Sequence, residues 1–231
     1  MRQLTLDTET TGMDVGAGHR VIEIGCVEIL ERVVTGRTFH FYLNPDRDSE
    51  PGALAVHGLT SEFLADKPRF PDIVDDWLRF IDGAEILAHN ASFDVGFLEN
   101  ELHLCGREAK LPASCTVLDT LTLARELHPG QRNSLDALCK RYQVDASQRH
   151  VHGALLDARL LADVYLAMTA GQGTLDLMRA PDAVQLLDVA GSEIRIVRRG
   201  LSEAELAEHA EYLKSLEKRA GKPTLWQALG L

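Results

Sequence analysis

Apolar and polar positions alternate, with β-branched and aromatic residues prominent, over residues 2–7, about 20–30 ("RVIEIGCVEIL") and 34–43 ("VTGRTFHFYL"). A period of two marks strands with one face buried, and three such runs in succession predict an antiparallel meander, with Thr35-Gly36 as turn punctuation. From Pro51 the texture shifts to short helical pieces. "FPDIVDDWLRFI", residues 70–81, then repeats Ile73, Val74, Trp77, Leu78 and Ile81 at helical spacing. "EILA" (85–88) predicts a short strand running into the turn "HNAS" and a helix to about Cys105, and "CTVL" (115–118) predicts another, followed by a helix to about Leu127. Further helices are expected from about Ser134 and about Ala154, with Asp119 and Ser134 as N-caps whose side-chain oxygens accept from free backbone N–H groups. Strands first alone and then alternating with helices define an α/β fold, a mixed sheet with helices packed on its faces.

After Ala170 the pattern weakens. "GQGTLDLMRAPDA" has two glycines, a proline and no sustained period, so residues 171–200 read as a linker after a domain of residues 1–170. Residues 202–221 then form a helical pattern with Ser202 as N-cap, Glu205 at the capping-box position and Gly221 at its stop. The end, "KPTLWQALGL", carries Leu225, Trp226, Leu229 and Leu231 after a proline. Residues 201–231 have too little mass for a core of their own, so these side chains are expected to bury against a partner.

Composition adds limits more than shape. A chain of 231 residues, 45% hydrophobic and 26% charged, can bury a core without cross-links. No apolar run approaches the roughly 20 residues of a membrane helix, and Met1-Arg2-Gln3-Leu4 enters a strand pattern directly, so a cytoplasmic location is expected. Cys26, Cys105, Cys115 and Cys139 are scattered without a C-x-x-C pair and read as reduced thiols; nothing completes a metal site at His103 and Cys105. The net charge of −11 argues against a free-standing nucleic-acid binder, which would carry a basic face. Residues 1–170 hold 16 Lys and Arg against 26 Asp and Glu, whereas 171–231 hold 8 against 9. The acidity therefore belongs to the first domain, where it is compatible with a site for cations.

"LTLDTETTG", residues 4–12, sets Asp7 and Glu9 two apart at the end of an apolar run. On a strand they project from one face, where two carboxylates repel unless one is protonated or a cation lies between them. Hard divalent ions take such oxygen ligands. Two further stretches strengthen that reading: "AHNASFDVGFLENEL" places Asp94 in the first turn of a helix, and "HVHGALLDARLLADVYLAM" places His152 just before a helix and Asp157 at its start. Asp157 interrupts the run Ala154, Leu155, Leu156, Ala158, Leu160, Leu161, so it is expected to face inward, where a charge must be paired or bind metal. Glu23 and Glu28 read as strand-face residues.

The order D-x-E-T-T-G, H-N-A-x-F-D and H-x-A-x-x-D resembles the three motifs of the DEDDh 3'-5' exonucleases, of the ribonuclease H-like superfamily; the similarity runs over about residues 2–170 and includes "VHGLT" (56–60) and "VLDTLTLAR" (117–125). The resemblance implies a central mixed sheet of five strands flanked by helices. It implies that Asp7, Glu9, Asp94 and Asp157 hold two divalent ions, Mg²⁺ or Mn²⁺, with His152 as general base. In such a site one ion acidifies the attacking water and the other stabilises the departing 3'-oxygen. Thr10, Thr11, Gly12, His57 and Phe93 are the implied contacts of the terminal nucleotide at a single-stranded or frayed DNA 3' end.

Within the family, the tail resembles that of the proofreading subunits of bacterial DNA polymerase III. "QGTLDL" (172–177) is similar to the peptide that docks on the beta sliding clamp, with Gln172, Leu175 and Leu177 as anchors, and Leu225, Trp226 and Leu229 match the segment that binds the polymerase's alpha subunit. The expected function is then removal of mismatched 3'-terminal nucleotides as 5'-monophosphates. DNA affinity would be delegated to polymerase and clamp, which reconciles it with the acidic domain. A stand-alone RNA or oligonucleotide exonuclease of the same chemistry, and a scaffold with a dormant nuclease, remain the alternatives; whether a small accessory subunit also binds is left open.

Overall fold

Three strands, β1 (Arg2–Thr10), β2 (Val21–Leu30) and β3 (Val33–Tyr42), form the expected antiparallel meander. The structure is a computed structural model that describes residues 1–147, 149 and 151–170, with Ala207, Ala210, Glu211, Tyr212 and Lys214 of the tail, which are helical and exposed. The chain divides into two units, Met1–Leu175 and Asp176–Leu231, and every numbered element lies in the first. The expected linker and both proposed docking segments, with Gln172, Leu175, Leu177, Leu225, Trp226 and Leu229, lie outside the described residues.

The β2–β3 turn is made by Glu31 and Arg32, both left-handed at φ 49° and 65°, a pair whose twist suits a two-residue hairpin. Thr35-Gly36 is therefore not the turn. Gly36 lies inside β3 at φ 83°, where the register against β2 shifts between Val27 and Ile29, so the glycine serves a bulge. β1 also extends past its predicted end at residue 7 and carries both Asp7 and Glu9 within the ladder.

Beyond the meander come α1 (Pro51–His57), α2 (Ser61–Leu64), α3 (Phe70–Ile81), β4 (Glu85–Ala88), α4 (Ala91–Leu104), β5 (Thr116–Asp119), α5 (Thr120–Leu127), α6 (Leu135–Tyr142) and α7 (Ala154–Thr169). β4 pairs parallel with β1 and with β5, giving the order β3-β2-β1-β4-β5 with β1 in the centre. This is the five-stranded mixed sheet the sequence implied. Leu4, Leu6, Ile24 and Ile86 pack against Trp77 of α3 and Phe97 of α4 on one face. Val27, Ile29 and Leu87 pack against Leu138 of α6 and Ala158, Leu161 and Val164 of α7 on the other. Each leucine, isoleucine, valine or phenylalanine among them, fully buried, contributes about 1.5–3 kcal/mol.

Two features seat the helices that matter for the site. Gly25 stands opposite Asp7 in the β1–β2 ladder, and a Cβ there would come within 2.3 Å of the backbone at Ala154 and Leu155. Only glycine lets the first turn of α7 close onto the sheet. Thr5 reinforces the approach by donating its hydroxyl to the Ala158 carbonyl at 2.7 Å. On the other face, Arg20 donates to both oxygens of buried Glu101 at 2.7 Å, tying α4 to the start of β2. Glu23 and Glu28 do lie on strand faces, but buried and paired, Glu23 with His40 and Glu28 with Arg2 and Arg37. The four cysteines are free thiols. Among the described residues no helix is long and apolar enough to cross a membrane.

Candidate active site

Alternation along β1 sends Thr5, Asp7 and Glu9 to the face covered by α7, and Leu4, Leu6 and Thr8 to the face covered by α3 and α4. Asp94 arrives from that opposite face. Asn90, left-handed at φ 74°, turns the chain sharply after β4 so that α4 starts at once; the turn is pinned because the Asn90 N–H donates to Asp119 Oδ1 at 3.1 Å. Asp94, in the first turn, accepts from the Thr8 N–H at 3.0 Å and the Thr8 hydroxyl at 2.7 Å. Asp157, in the first turn of α7, comes down from the Glu9 side.

Asp7, Glu9, Asp94, His152 and Asp157 thus line one cleft, with His89, Asn90 and Phe93 among its other walls. Ligand atoms of Glu9, His152 and Asp157 all lie within 4.8 Å of one another. The electrostatics are those of like charges withheld from water. Burial, then the charges of Asp94, Asp157 and Glu9, push Asp7 well above the carboxylate range. Burial and Glu23 push Glu9 up to about 8. Burial pushes Asp94 to about 7, against the Thr8 hydrogen bonds that favour its charged form. A cluster of hard oxygen donors that resists ionisation by itself, completed by an imidazole, fits a divalent cation.

The raised values carry a stability consequence. Glu9 and Asp94 hold their protons more tightly folded than unfolded, so their stabilising contribution is complete below their ordinary 4.5 and 3.8 and is lost as pH rises through about 8 and about 7. His57 and His89, lowered by burial, act oppositely but only below their ordinary 6.5. In chelator the melting temperature should therefore fall between pH 7 and 8.5, and Glu9→Gln should flatten the slope. A melting temperature that rises over that window would contradict the assignment.

A second cleft, about 390 Å³, adjoins the first through Thr8, Glu9, Asn90 and Phe93, which line both. Thr10, Gly12 and His57 border it, with Met13, Glu50 and Val56, which the sequence reading did not single out. His57 is buried; its Nδ1 accepts from the Leu59 N–H at 2.9 Å and its Nε2 has no partner. Phe93 packs its ring against Phe97, 4.9 Å between centroids, while still lining both clefts. Thr11 does not belong with them. It is fully buried, its hydroxyl 3.0 Å from His19 Nδ1 and accepting from the Arg20 N–H at 3.0 Å, so it braces the loop instead of facing a ligand. Asp119 and Ser134 are the expected N-caps, accepting from Leu121 and Ala137. The sequence reading also missed Arg149, whose guanidinium donates to both oxygens of Asp157 at 2.5 and 2.6 Å. It lies between α6 and α7 in a stretch without periodicity, and no spacing signal pointed to it.

A central mixed sheet whose middle strand, two helix starts and one loop histidine converge on an acidic cleft defines a nuclease of ribonuclease H-like fold. The sequence pattern of the family described as "Exonuclease" matches residues 4–165. The DNA polymerase III epsilon subunit of Salmonella typhimurium is 49% identical over 240 residues, covering 98% of each chain, that of Escherichia coli is 46% identical over the same shares, and that of Rickettsia prowazekii is 46% identical over 94% of this chain and 97% of its own. Among solved structures, an Exonuclease X complex with 5' overhanging duplex DNA matches with a TM-score of 0.57 at 26% identity, covering 74% of this chain and 93% of that one. E. coli exonuclease I bound to single-stranded DNA shares the fold at a TM-score of 0.64 and 20% identity, over 74% of this chain and 41% of that one. The chain belongs to this exonuclease family and, within it, to the DNA polymerase III epsilon subunits. It is a 3'-5' exonuclease of a metal-dependent family.

Proposed function

We propose that the enzyme proofreads for the replicative DNA polymerase, removing mismatched 3'-terminal nucleotides as 5'-monophosphates, with Asp7, Glu9, Asp94 and Asp157 holding two Mg²⁺ or Mn²⁺ ions and His152 as general base. The observation that carries this is the convergence of those five side chains on one cleft. Bound there, divalent ions would supply Lewis acidity to the scissile phosphate and lower the pKa of the attacking water. Asp7 and Glu9 present their oxygens from the carboxyl end of the central strand β1, where β2 still pairs with it and β4 no longer does. Thr8 fixes Asp94 by two hydrogen bonds, so that the ligand set is held in place before substrate arrives. His152, 45% exposed at the mouth, can accept the water's proton and pass it to solvent.

The adjoining cleft is of a size for a small ligand and suits the terminal nucleoside. Thr10 and Gly12 border it, Phe93 offers a ring for stacking, and the buried ring of His57 forms part of its wall. The tail is assigned to partners: Gln172, Leu175 and Leu177 to the beta sliding clamp, and Leu225, Trp226 and Leu229 to the alpha subunit. Similarity to epsilon subunits over 98% of both chains supports this reading over a stand-alone RNA exonuclease.

The test joins both halves. The full chain should co-elute with alpha subunit and clamp and release 5'-monophosphates from a mismatched primer end in Mg²⁺. Removal of residues 201–231 should spare cleavage of single strands and end co-elution with alpha. Co-elution of the truncated protein would refute the tail assignment, and absence of release in both Mg²⁺ and Mn²⁺ would refute the catalytic one.

A further inference from the structure

Arg149 is reached by none of the three motifs, yet it touches two of the proposed catalytic side chains. Its own side chain is only 9% exposed. Nε donates to Asp157 Oδ1 at 2.5 Å and Nη2 to Oδ2 at 2.6 Å, a planar fork across the whole carboxylate. Nη2 also meets His152 Nδ1 at 3.1 Å. A guanidinium cannot accept, so Nδ1 is the acceptor and its lone pair is engaged. On the outside, Nη1 pairs with exposed Asp136 in the first turn of α6.

This geometry sets up a competition. A divalent ion held by Asp157 needs oxygen lone pairs that the fork engages, and two cations cannot both take the full carboxylate. The charge of Arg149 also offsets part of the mutual repulsion felt by Asp7 and Glu9, the service a metal would perform. Asp136 gives the guanidinium a second carboxylate to keep when its hold on the first loosens.

We propose that Arg149 is a positioning residue that stands in for the metal: it holds Asp157 and His152 in place before loading, and it cedes oxygen of Asp157 and the His152 Nδ1 lone pair as the ion enters, retaining Asp136 as its anchor. This rests on the metal-site reading above. Arg149 then stabilises the unloaded protein, weakens metal affinity, and couples loading to release of the base.

The experiment is Mn²⁺ titration by calorimetry, with thermal melting in chelator and in saturating Mn²⁺, on the full chain and on Arg149→Gln and Arg149→Lys. Arg149→Gln is expected to bind Mn²⁺ about fivefold tighter or more, the lower end of typical thermodynamic couplings between two binding events. It should melt lower than the parent in chelator, with the difference largely removed by Mn²⁺. Arg149→Lys keeps a charge but not the fork, and should fall between the two; it also serves if the glutamine variant folds poorly. Unchanged or weaker Mn²⁺ binding in both variants, or an equal stability loss with and without Mn²⁺, would make Arg149 a structural tie and overturn the proposal. If the parent protein itself binds no Mn²⁺, the metal-site reading fails and the proposal with it.

Discussion

Replacing Asp7 and Glu9 together with alanine is expected to lower Mg²⁺-dependent nucleotide release by about a thousandfold or more while leaving the fold intact. The size follows from what metal ions contribute to phosphodiester cleavage, several kcal/mol of charge stabilisation, at about 1.4 kcal/mol per tenfold in rate. The fold should survive because the hydrophobic packing of β1 rests on Leu4 and Leu6, which face away from the site. In chelator the variant should melt at a higher temperature than the parent, since it removes two carboxylates whose ionisation burial and neighbouring charges oppose. Circular dichroism melting and release of monophosphate from a single strand check both halves. Retained cleavage would show that the ligands lie elsewhere.

His152→Ala should cost about 100- to 10,000-fold in cleavage rate, the range for loss of a general base, with Mn²⁺ binding retained. The distinction matters because the His152 ring lies close enough to Glu9 and Asp157 to be read as a metal ligand. Its exposure and its position before α7, outside any helix or strand, favour a group that moves to meet the water. Calorimetric Mn²⁺ titration beside single-turnover cleavage separates the roles. A variant that loses Mn²⁺ binding in step with activity would make His152 a ligand and leave the base unassigned.

Local patterns predicted the element order closely. α3 spans the residues 70–81 picked out by helical spacing, β4 spans 85–88, and the caps at Asp119 and Ser134 accept from the N–H groups expected. These features are legible because periodicity and capping depend on neighbours within a few residues. The misplaced hairpin turn has the converse reason. Glu31 and Arg32 carry no glycine or asparagine signature, and their left-handed geometry is imposed by pairing β2 with β3. Gly36, the conspicuous punctuation, relieves a bulge that exists only once the two strands are in register.

The site divides along the same line. Asp7, Glu9, Asp94, His152 and Asp157 were legible as candidates through the three motifs that resemble those of the exonuclease family, and Asp157 also through the apolar run it interrupts. Contacts between distant segments were not. Thr11 reads like its neighbours in "TETTG" but turns inward to His19, and Gly25 admits α7 against β2 in a place no motif marks. Arg149 gains its meaning only from standing across Asp157 and beside His152. The sequence by itself determined which atoms are available for the chemistry, since identity and short-range spacing are covalent facts. Tertiary structure decided which of them share a cleft, how far burial shifts their protonation, and which cation reaches them, because desolvation and Coulomb forces act through space between residues far apart in the chain.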